Sequence, residues 1–233
     1  MKIRNYILPI VLLFSSCQKE GGIPDSLFEL LSEDLTGVSF RNDLAYSEKI
    51  NPYTFRNFYN GAGVALGDIN NDGLIDILFA GNQTSNRLYL NQGNLKFKDI
   101  TQSAGLESTG YWSTGVSMAD VNGDGLLDIY VSKSGPKGGE KRHNELFINK
   151  GDLTFSERSK EYGLAEEKLS QHAVFLDFDK DGDLDLYLLA NSGRSVGIFD
   201  LREGQRETRD PDGGNKLFRN DSTIFTDVSE SAG

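Results

Sequence analysis

The sequence predicts an all-β fold built from repeated four-stranded sheets, and three observations support this prediction. The nine-residue pattern D-x-[ND]-x-D-G-x-x-D occurs three times, at residues 68–76, 120–128 and 177–185. Each copy runs directly into a short apolar segment that is rich in strand-forming residues. The same kinds of segment follow every copy in the same order, so the chain is organised as an internal repeat.

Two predicted strands flank each nine-residue loop. Both are short and apolar, with the β-branched and aromatic residues that strands favour. The preceding strands are Gly63–Gly67, Gly115–Ala119 and Ala173–Leu176. The following strands are Asp76–Ala80, Asp128–Ser132 and Asp185–Leu189.

Two further strands complete each unit, a third that ends in Asn and a fourth that is centred on Phe. The third strands are Leu88–Asn91, Leu146–Asn149 and Leu217–Asn220, the fourth are Lys96–Thr101, Thr154–Ser159 and Ile224–Ser229, and the closing glycines are Gly105, Gly163 and Gly233. Aromatic side chains recur in register, so we expect them to pack between sheets rather than to bind a ligand. They are Tyr89, Phe97, Phe147, Phe155, Phe218 and Phe225, and we expect the same role for Trp112.

The spacing of the loops indicates the architecture. Loop starts lie 52 and then 57 residues apart. The stretch from the Asn of the third strand to the next loop is nearly constant at 29 and 28 residues, whereas the stretch from loop start to that Asn varies from 23 to 29 to 43. Insertions therefore collect at one edge of the unit. Four-stranded units of this length are typical of β-propeller blades.

The loops have the composition of a calcium site. Side chains at positions one, three, five and nine can converge on one cation together with the carbonyl of position seven, while the glycine at six permits the turn. Oxygen ligands suit Ca²⁺, whereas a transition metal favours His or Cys, which the loops lack. The expected ligands of about three structural ions are Asp68, Asn70, Asp72, Leu74 and Asp76; Asp120, Asn122, Asp124, Leu126 and Asp128; and Asp177, Asp179, Asp181, Asp183 and Asp185.

Two other interpretations of the loops differ in strength. An EF-hand shares the opening spacing but requires a bidentate Glu at position twelve and a helix on each side. Position twelve is Phe79, Val131 or Leu188, inside a predicted strand, which excludes the EF-hand. A metal-free Asp-Gly turn stays open as the alternative, although such a turn does not require mutually repelling carboxylates at positions one, five and nine.

The run from Gly61 to Asp76 resembles the FG-GAP/VCBS repeat family, whose calcium-bearing β-propeller is shared with the integrin α head. This resemblance extends from about Leu35 to the end of the chain. Large VCBS surface lipoproteins of Bacteroidetes-type bacteria are similar in a further set of segments, Leu27–Leu31, Thr36–Phe40, Leu88–Gly93 and Asp99–Gly105. The resemblance implies three to three and a half blades of a ring of about seven, hence the N-terminal part of a longer product. A self-assembling half-propeller is the alternative.

The N-terminus predicts export and lipid anchoring. Residues 1–16 have a basic start and an apolar core too short to span a bilayer, as in a signal peptide. The lone cysteine, Cys17, lies where a bacterial lipobox places its lipidated residue, and residues 17–34 are predicted to form a tether. We therefore expect a lipoprotein of the outer membrane or cell surface of a Gram-negative bacterium, with ordinary signal cleavage as the alternative because Phe14 replaces the usual Leu.

Charge and composition limit the function further. The formal charge is −11, and it becomes −13 when residues 1–16, with Lys2 and Arg4, are removed. Eleven of the acidic residues belong to the three loops, and no basic patch of the nucleic-acid-binding kind is present. Metal binding therefore explains the acidity better than a cationic partner does.

The sequence predicts a binding or adhesion module for a protein or glycan, monomeric if the ring closes, and not an enzyme. The histidines His143 and His172 lie in unrelated contexts, and the chain lacks a nucleophile-elbow or phosphate-loop motif. The long insertion Asn191–Lys216 is the expected binding surface, with Lys133–Asn144 second. Two alternatives remain: a propeller that positions a C-terminal enzymatic domain, and a scaffold of an outer-membrane complex.

Overall fold

The structure is a computed structural model that describes residues 27–108, 112–135, 142–192 and 213–232. The chain divides into two units, residues 1–31 and 32–233. In the first unit, the described residues 27–31 form neither helix nor strand. The predicted signal peptide and Cys17 lie outside the described residues, so they stay predictions. Across the described ranges, no helix combines the length and apolar character needed to cross a membrane.

The second unit contains three four-stranded antiparallel sheets, each formed by consecutive strands. Sheet A comprises β1 (Val64–Gly67), β2 (Asp76–Phe79), β3 (Arg87–Asn91) and β4 (Phe97–Asp99). Sheet B comprises β5 (Ser113–Ala119), β6 (Asp128–Lys133), β7 (Glu145–Asn149) and β8 (Phe155–Glu157). Sheet C comprises β9 (Leu169–Leu176), β10 (Asp185–Asn191), β11 (Lys216–Asp221) and β12 (Ile224–Asp227). Short helices α1 (Glu33–Thr36), α2 (Thr101–Ala104) and α3 (Ser229–Ala232) and a 3₁₀ turn, Arg56–Tyr59, complete the unit.

The predicted all-β repeat of four-stranded units is confirmed. Each sheet contains the four strands expected around its loop, in the expected order. The first strands of the three sheets lie next to one another, because β1 contacts β5 and β5 contacts β9. Successive sheets therefore stack around a common line of first strands, as propeller blades do.

The predicted C-terminal ends of the fourth strands are each wrong by two residues. The strands end at Asp99, Glu157 and Asp227, whose carboxylates accept hydrogen bonds from the backbone N–H two residues later at 2.9, 2.8 and 3.0 Å. These bonds turn the chain out of the sheet. Thr101 and Ser229, predicted as strand residues, therefore begin α2 and α3.

The core lies between the sheets, as expected from the recurring aromatic residues. One cluster joins sheets A and B and includes Phe147 and Phe155, and a second joins sheets B and C and includes Phe218 and Phe225. Phe97 departs from the prediction because it is only half-buried. Phe155 packs against sheet A and Phe225 against sheet B, whereas no described sheet precedes Phe97 in the same way.

The remaining predicted core aromatics are also buried. Tyr89 is 1% exposed, and its hydroxyl accepts a hydrogen bond from the Ser39 backbone N–H at 3.3 Å. Trp112 forms a separate cluster with Phe55 and Phe58, and its ring meets that of Phe55 edge-on at 5.0 Å between centroids. This cluster anchors the segment before β1 to the start of β5.

Glycine sets the distance between neighbouring first strands. A Cβ atom at Gly63 would lie 2.6 Å from the carbonyl oxygen of Thr114, and one at Gly115 would lie 2.4 Å from that of Gln171. Any larger residue would force the strands apart. The third unit has His172 at this position, and its side chain is exposed.

The outer face of sheet C is apolar and exposed. Val174, Leu176, Tyr187 and Leu189 are between 39% and 51% exposed. The corresponding face of sheet A is covered by sheet B, and that of sheet B by sheet C. Sheet C thus presents an uncovered face among the residues that the structure describes.

Candidate metal centre

The three predicted loops connect the first and second strands of their sheets. They join β1 to β2, β5 to β6 and β9 to β10, so all three lie at the same end of the sheets. The glycine at position six has a positive φ in each loop, +84° at Gly73, +85° at Gly125 and +98° at Gly182. Other residues adopt this conformation only with strain, which explains the invariant glycine within this chain.

Position nine of each loop is a buried carboxylate that accepts two backbone hydrogen bonds. Asp76, Asp128 and Asp185 are 0%, 1% and 0% exposed. In the first loop, Oδ2 of Asp76 accepts from the N–H of Ile69 at 3.0 Å, and Oδ1 accepts from that of Asn91 at 2.8 Å. The other two loops repeat both bonds. Each carboxylate therefore ties position two of its loop to the end of the third strand.

Burial makes the ionised form of these carboxylates costly. Desolvation raises the pKa of Asp128 to about 6, the two backbone hydrogen bonds oppose this shift, and the charges of Asp124 and Asp120 add to it. The same causes raise the pKa of Asp76. A nearby cation would favour the ionised form and reverse these shifts.

Position one organises the exposed part of the loop. In the first loop, the two carboxylate oxygens of Asp68 accept hydrogen bonds from the N–H groups of Asp72 and Gly73 at 3.1 and 2.7 Å. Asp120 holds the second loop through the same pair of bonds at 3.0 and 2.8 Å. In the third loop, Asp177 binds the N–H groups of Lys180 and Gly182.

Positions three and five carry candidate oxygen ligands, half-buried at position three of the first two loops and exposed at position five. In the first loop, the side-chain amide of Asn70 donates to Oδ2 of Asp72 at 2.9 Å, and Oδ1 of Asp72 accepts from the N–H of Leu74. Asn122, Asp124 and Leu126 repeat this pattern. The first two loops therefore have the same conformation, as their sequences predict.

The third loop brings carboxylates closest together. Asp177, Asp179 and Asp185 each offer an oxygen within 4.8 Å of the others. Desolvation and the charges of Asp181 and Asp185 raise the pKa of Asp179. The carboxylate of Asp183 accepts a hydrogen bond from the N–H of Ser222 at 3.3 Å, which connects the loop to the turn after β11. The donor atoms are all oxygens and the carboxylates repel one another, which fits a hard divalent cation such as Ca²⁺.

The structure brings the predicted side chains of each loop to one end of its sheet, but it adds residues that sequence reasoning missed. Asn91, Asn149 and Asn220, at the ends of the third strands, bind the position-nine carboxylates through their backbone N–H groups. The signal that could have identified these residues is the recurrence of Asn at the end of every third strand. By itself, that recurrence indicates only where the strand ends. Their side chains contact loop carbonyls as well.

Comparison with known proteins agrees with this architecture. The FG-GAP-like repeat family matches residues 68–131, which contain the first two loops and the strands between them. This segment is an FG-GAP-like repeat. The third loop repeats the FG-GAP-like pattern outside the matched range.

The chain is also similar to cartilage acidic protein 1 from three vertebrates. It is 30% identical to the Xenopus tropicalis protein over 202 residues, 30% to the Mus musculus protein over 201 residues and 29% to the Homo sapiens protein over 201 residues. These matches cover 81% of this chain and 28% of each relative. The chain therefore spans less than a third of the length of these relatives.

Proposed function

We propose that the three loops bind Ca²⁺ and that the ions hold the loop end of the sheets together. The observation that carries this proposal is the repeated geometry of oxygen donors, with the carboxylates of Asp177, Asp179 and Asp185 within 4.8 Å of one another. An ion in each loop would be held by the positions predicted from the sequence. It would neutralise carboxylates that otherwise repel one another and favour ionisation of the buried position-nine side chain.

The expected stabilisation is large enough to measure. Extracellular calcium modules commonly have dissociation constants of ~10⁻⁴–10⁻³ M. At millimolar free Ca²⁺, a site at the tight end of this range stabilises the folded state by ~1.4 kcal/mol. Three such sites, summed without any coupling between them, would contribute about 4 kcal/mol. This is a large part of a typical ~5–15 kcal/mol domain stability.

Thermal unfolding in EDTA, in excess Mg²⁺ and in excess Ca²⁺ tests the proposal. We expect the melting temperature to be highest in Ca²⁺ and protease resistance to fall in EDTA. Removing one exposed ligand charge in each loop, with Asp72→Asn, Asp124→Asn and Asp181→Asn, should abolish the calcium effect. Glu167→Gln removes one exposed charge outside the loops and should retain it. Equal melting temperatures of the parent protein in EDTA and Ca²⁺ would overturn the proposal.

The second part of the proposal is that the calcium-stabilised sheets form a non-enzymatic module for binding or adhesion. The FG-GAP-like repeat and stacked sheets support a propeller that displays connecting loops. The connections β6–β7 and β10–β11 lie at the end opposite the metal loops and carry the length variation of the repeat. Most of the second connection, residues 193–212, lies outside the described part of the chain.

A glycan and protein array, probed with and without Ca²⁺, tests the binding role. We expect a ligand to be retained by the parent protein in Ca²⁺ and lost when Asn191–Lys216 is replaced by a short linker. Binding that survives this replacement would refute the choice of surface. Export and lipidation of Cys17 complete the proposal, supported by the signal-like residues 1–16. Cys17→Ser should release the exported protein from membranes into the soluble fraction.

A further inference from the structure

The three loops are connected by a continuous series of buried hydrogen bonds that crosses both sheet interfaces. The series alternates between the position-nine carboxylates, the third-strand asparagines and the position-two backbone groups. Each carboxylate and each asparagine in the series is at most 3% exposed, so water does not compete for these bonds. From the third loop to the first, its members are Asp185, Asn220, Val121, Asp128, Asn149, Ile69 and Asp76.

The link between the second and first loops depends on Asn149. Its backbone N–H donates to Oδ1 of Asp128 at 2.8 Å. Its side-chain amide donates to the carbonyl of Leu127 in the same loop at 3.1 Å and to the carbonyl of Ile69 in the first loop at 2.8 Å. The N–H of Ile69 in turn donates to Oδ2 of Asp76 at 3.0 Å. The peptide groups flanking Ile69 are thus held from both loops.

Asn220 repeats this arrangement between the third and second loops. Its backbone N–H donates to Oδ1 of Asp185 at 2.8 Å, and its side-chain amide reaches the carbonyl of Val121 at 3.4 Å. The N–H of Val121 donates to Oδ2 of Asp128 at 3.1 Å. Two independent interfaces therefore use the same residue type at the same position, which argues against a chance contact.

Asn91 provides the natural comparison. It occupies the same place in sheet A, donates its backbone N–H to Asp76 at 2.8 Å and donates its side-chain amide to the Ile75 carbonyl of its own loop at 2.8 Å. Asn91 therefore has both bonds to its own loop, but no described loop precedes that loop for its side chain to contact. The bond to the preceding loop is what distinguishes Asn149 and Asn220 from Asn91.

We propose that Asn149 and Asn220 are positioning residues that couple cation binding between neighbouring loops. This inference rests on the proposed calcium function. A cation in one loop fixes the position-nine carboxylate, which fixes the asparagine through its backbone bond. The asparagine amide then fixes the position-two peptide of the preceding loop and thereby the position-nine carboxylate there. Because coupling is reciprocal, binding in either loop strengthens binding in its neighbour.

Calcium titrations followed by loop-resolved hydrogen exchange test this coupling, because they report the first and second loops separately. In the parent protein, Asp124→Asn should prevent calcium binding in the second loop. It should thereby raise the calcium concentration at the midpoint of the first loop by about 5-fold or more. In Asn149→Ala, the midpoint of the first loop should be the same with and without Asp124→Asn. If Asn149 had a purely structural role, Asn149→Ala would weaken calcium binding in both loops, but the midpoint of the first loop would still depend on the second loop.

Two matched variants serve as controls. Asn91→Ala removes the bond within the loop alone and should retain the 5-fold dependence. Asn71→Gly removes a second bond between these loops, an exposed contact from the Asn71 side-chain amide to the Gly125 carbonyl at 3.0 Å. Because Asn71 has a φ of +57°, glycine removes the side chain without the strain that alanine would add, and this variant should also retain the dependence. Asn149→Ser replaces the alanine variant if that variant does not fold, and Asn220→Ala tests the second interface independently.

The outcomes separate the two proposals. If no loop of the parent protein responds to Ca²⁺, the proposed function fails, and the coupling fails with it. If the parent loops respond but Asp124→Asn leaves the first loop unchanged, the coupling is refuted while the calcium sites stand. Dependence that persists in Asn149→Ala would likewise overturn the assigned role of Asn149.

Discussion

Replacing Gly115 with alanine is expected to force sheets B and C apart. The added Cβ would lie 2.4 Å from the carbonyl oxygen of Gln171 and 2.7 Å from the Cα of His172, whereas ordinary van der Waals contact begins near 3.4 Å. Both neighbours are backbone atoms of β9, which cannot rotate away as a side chain can. The strands would have to separate by about one ångström to accept a single methyl group.

The cost of this separation can be estimated from overpacking in other cores. Such substitutions destabilise by typically ~1–3 kcal/mol, which for a domain of this size lowers the melting temperature by roughly 2–12 °C. Gly115 does not have a positive φ, so alanine adds no backbone strain of its own. The predicted loss therefore reports the distance between the sheets.

Gly135→Ala is the matched control. A Cβ at Gly135 would lie 3.6 Å from the Cβ of Trp112 and 3.8 Å from the Cγ of Arg142, both ordinary contacts, and its φ is not positive. This variant should be neutral or should gain ~0.4–1 kcal/mol by restricting the unfolded chain. Thermal and denaturant unfolding in Ca²⁺ measure both variants. Equal stabilities of Gly115→Ala and Gly135→Ala would refute the close approach of the strands.

Two other predictions concern charges away from the loops. Nζ of Lys133 lies 2.6 Å from Oε1 of Glu145, with side chains 0% and 10% exposed, so Lys133→Met should leave a buried carboxylate and cost about 3–5 kcal/mol in denaturant unfolding. Replacing both residues with Met and Leu should recover most of that loss, and an equal loss in the double variant would contradict this reasoning. Burial opposes ionisation of Asp227, but hydrogen bonds from Ser229 and Lys216 outweigh it and lower its pKa to about 2, below the ordinary 3.8. Its stabilisation should therefore be present above about pH 4 and lost as the pH falls towards 2, so the difference in melting temperature between the parent and Asp227→Asn should shrink across this window. A pH-independent difference would exclude this contribution.

The strands and loops could be predicted from the sequence because their signals are local. The alternation of apolar residues and the Asp-Gly pattern lie within about ten residues of each other, so each unit predicts its own four strands. The first strands of sheets B and C were predicted too short for the same reason. Ser113 and Leu169 begin β5 and β9, but all the extra residues except Leu169 are polar, and they pair only because β6 and β10 continue beside them.

Contacts between units could not be predicted, because they join residues far apart in the chain. The Asn149 side chain meets the Ile69 carbonyl across 80 positions, and Asn220 meets Val121 across 99. The Lys133–Glu145 ion pair gave no signal either, because charged residues at strand ends usually face solvent. The prediction that Phe97 packs between sheets is wrong because the residues around it are equivalent to those around Phe155 and Phe225. Only the structure shows that sheets A and B cover Phe155 and Phe225, whereas no described sheet covers Phe97 in the same way.

The loops combine two sets of carboxylates with different physical tasks. The position-nine groups are buried, and each accepts two backbone N–H bonds that connect its loop to the third strand. The position-five groups, Asp72, Asp124 and Asp181, are exposed, so water can solvate their charges. Repulsion between the carboxylates therefore falls mainly on the exposed loop tip, while the hydrogen bonds at the base of the loop connect it to the paired strands. This division explains how a loop of repelling acids can end each first strand without disrupting the sheet that it joins.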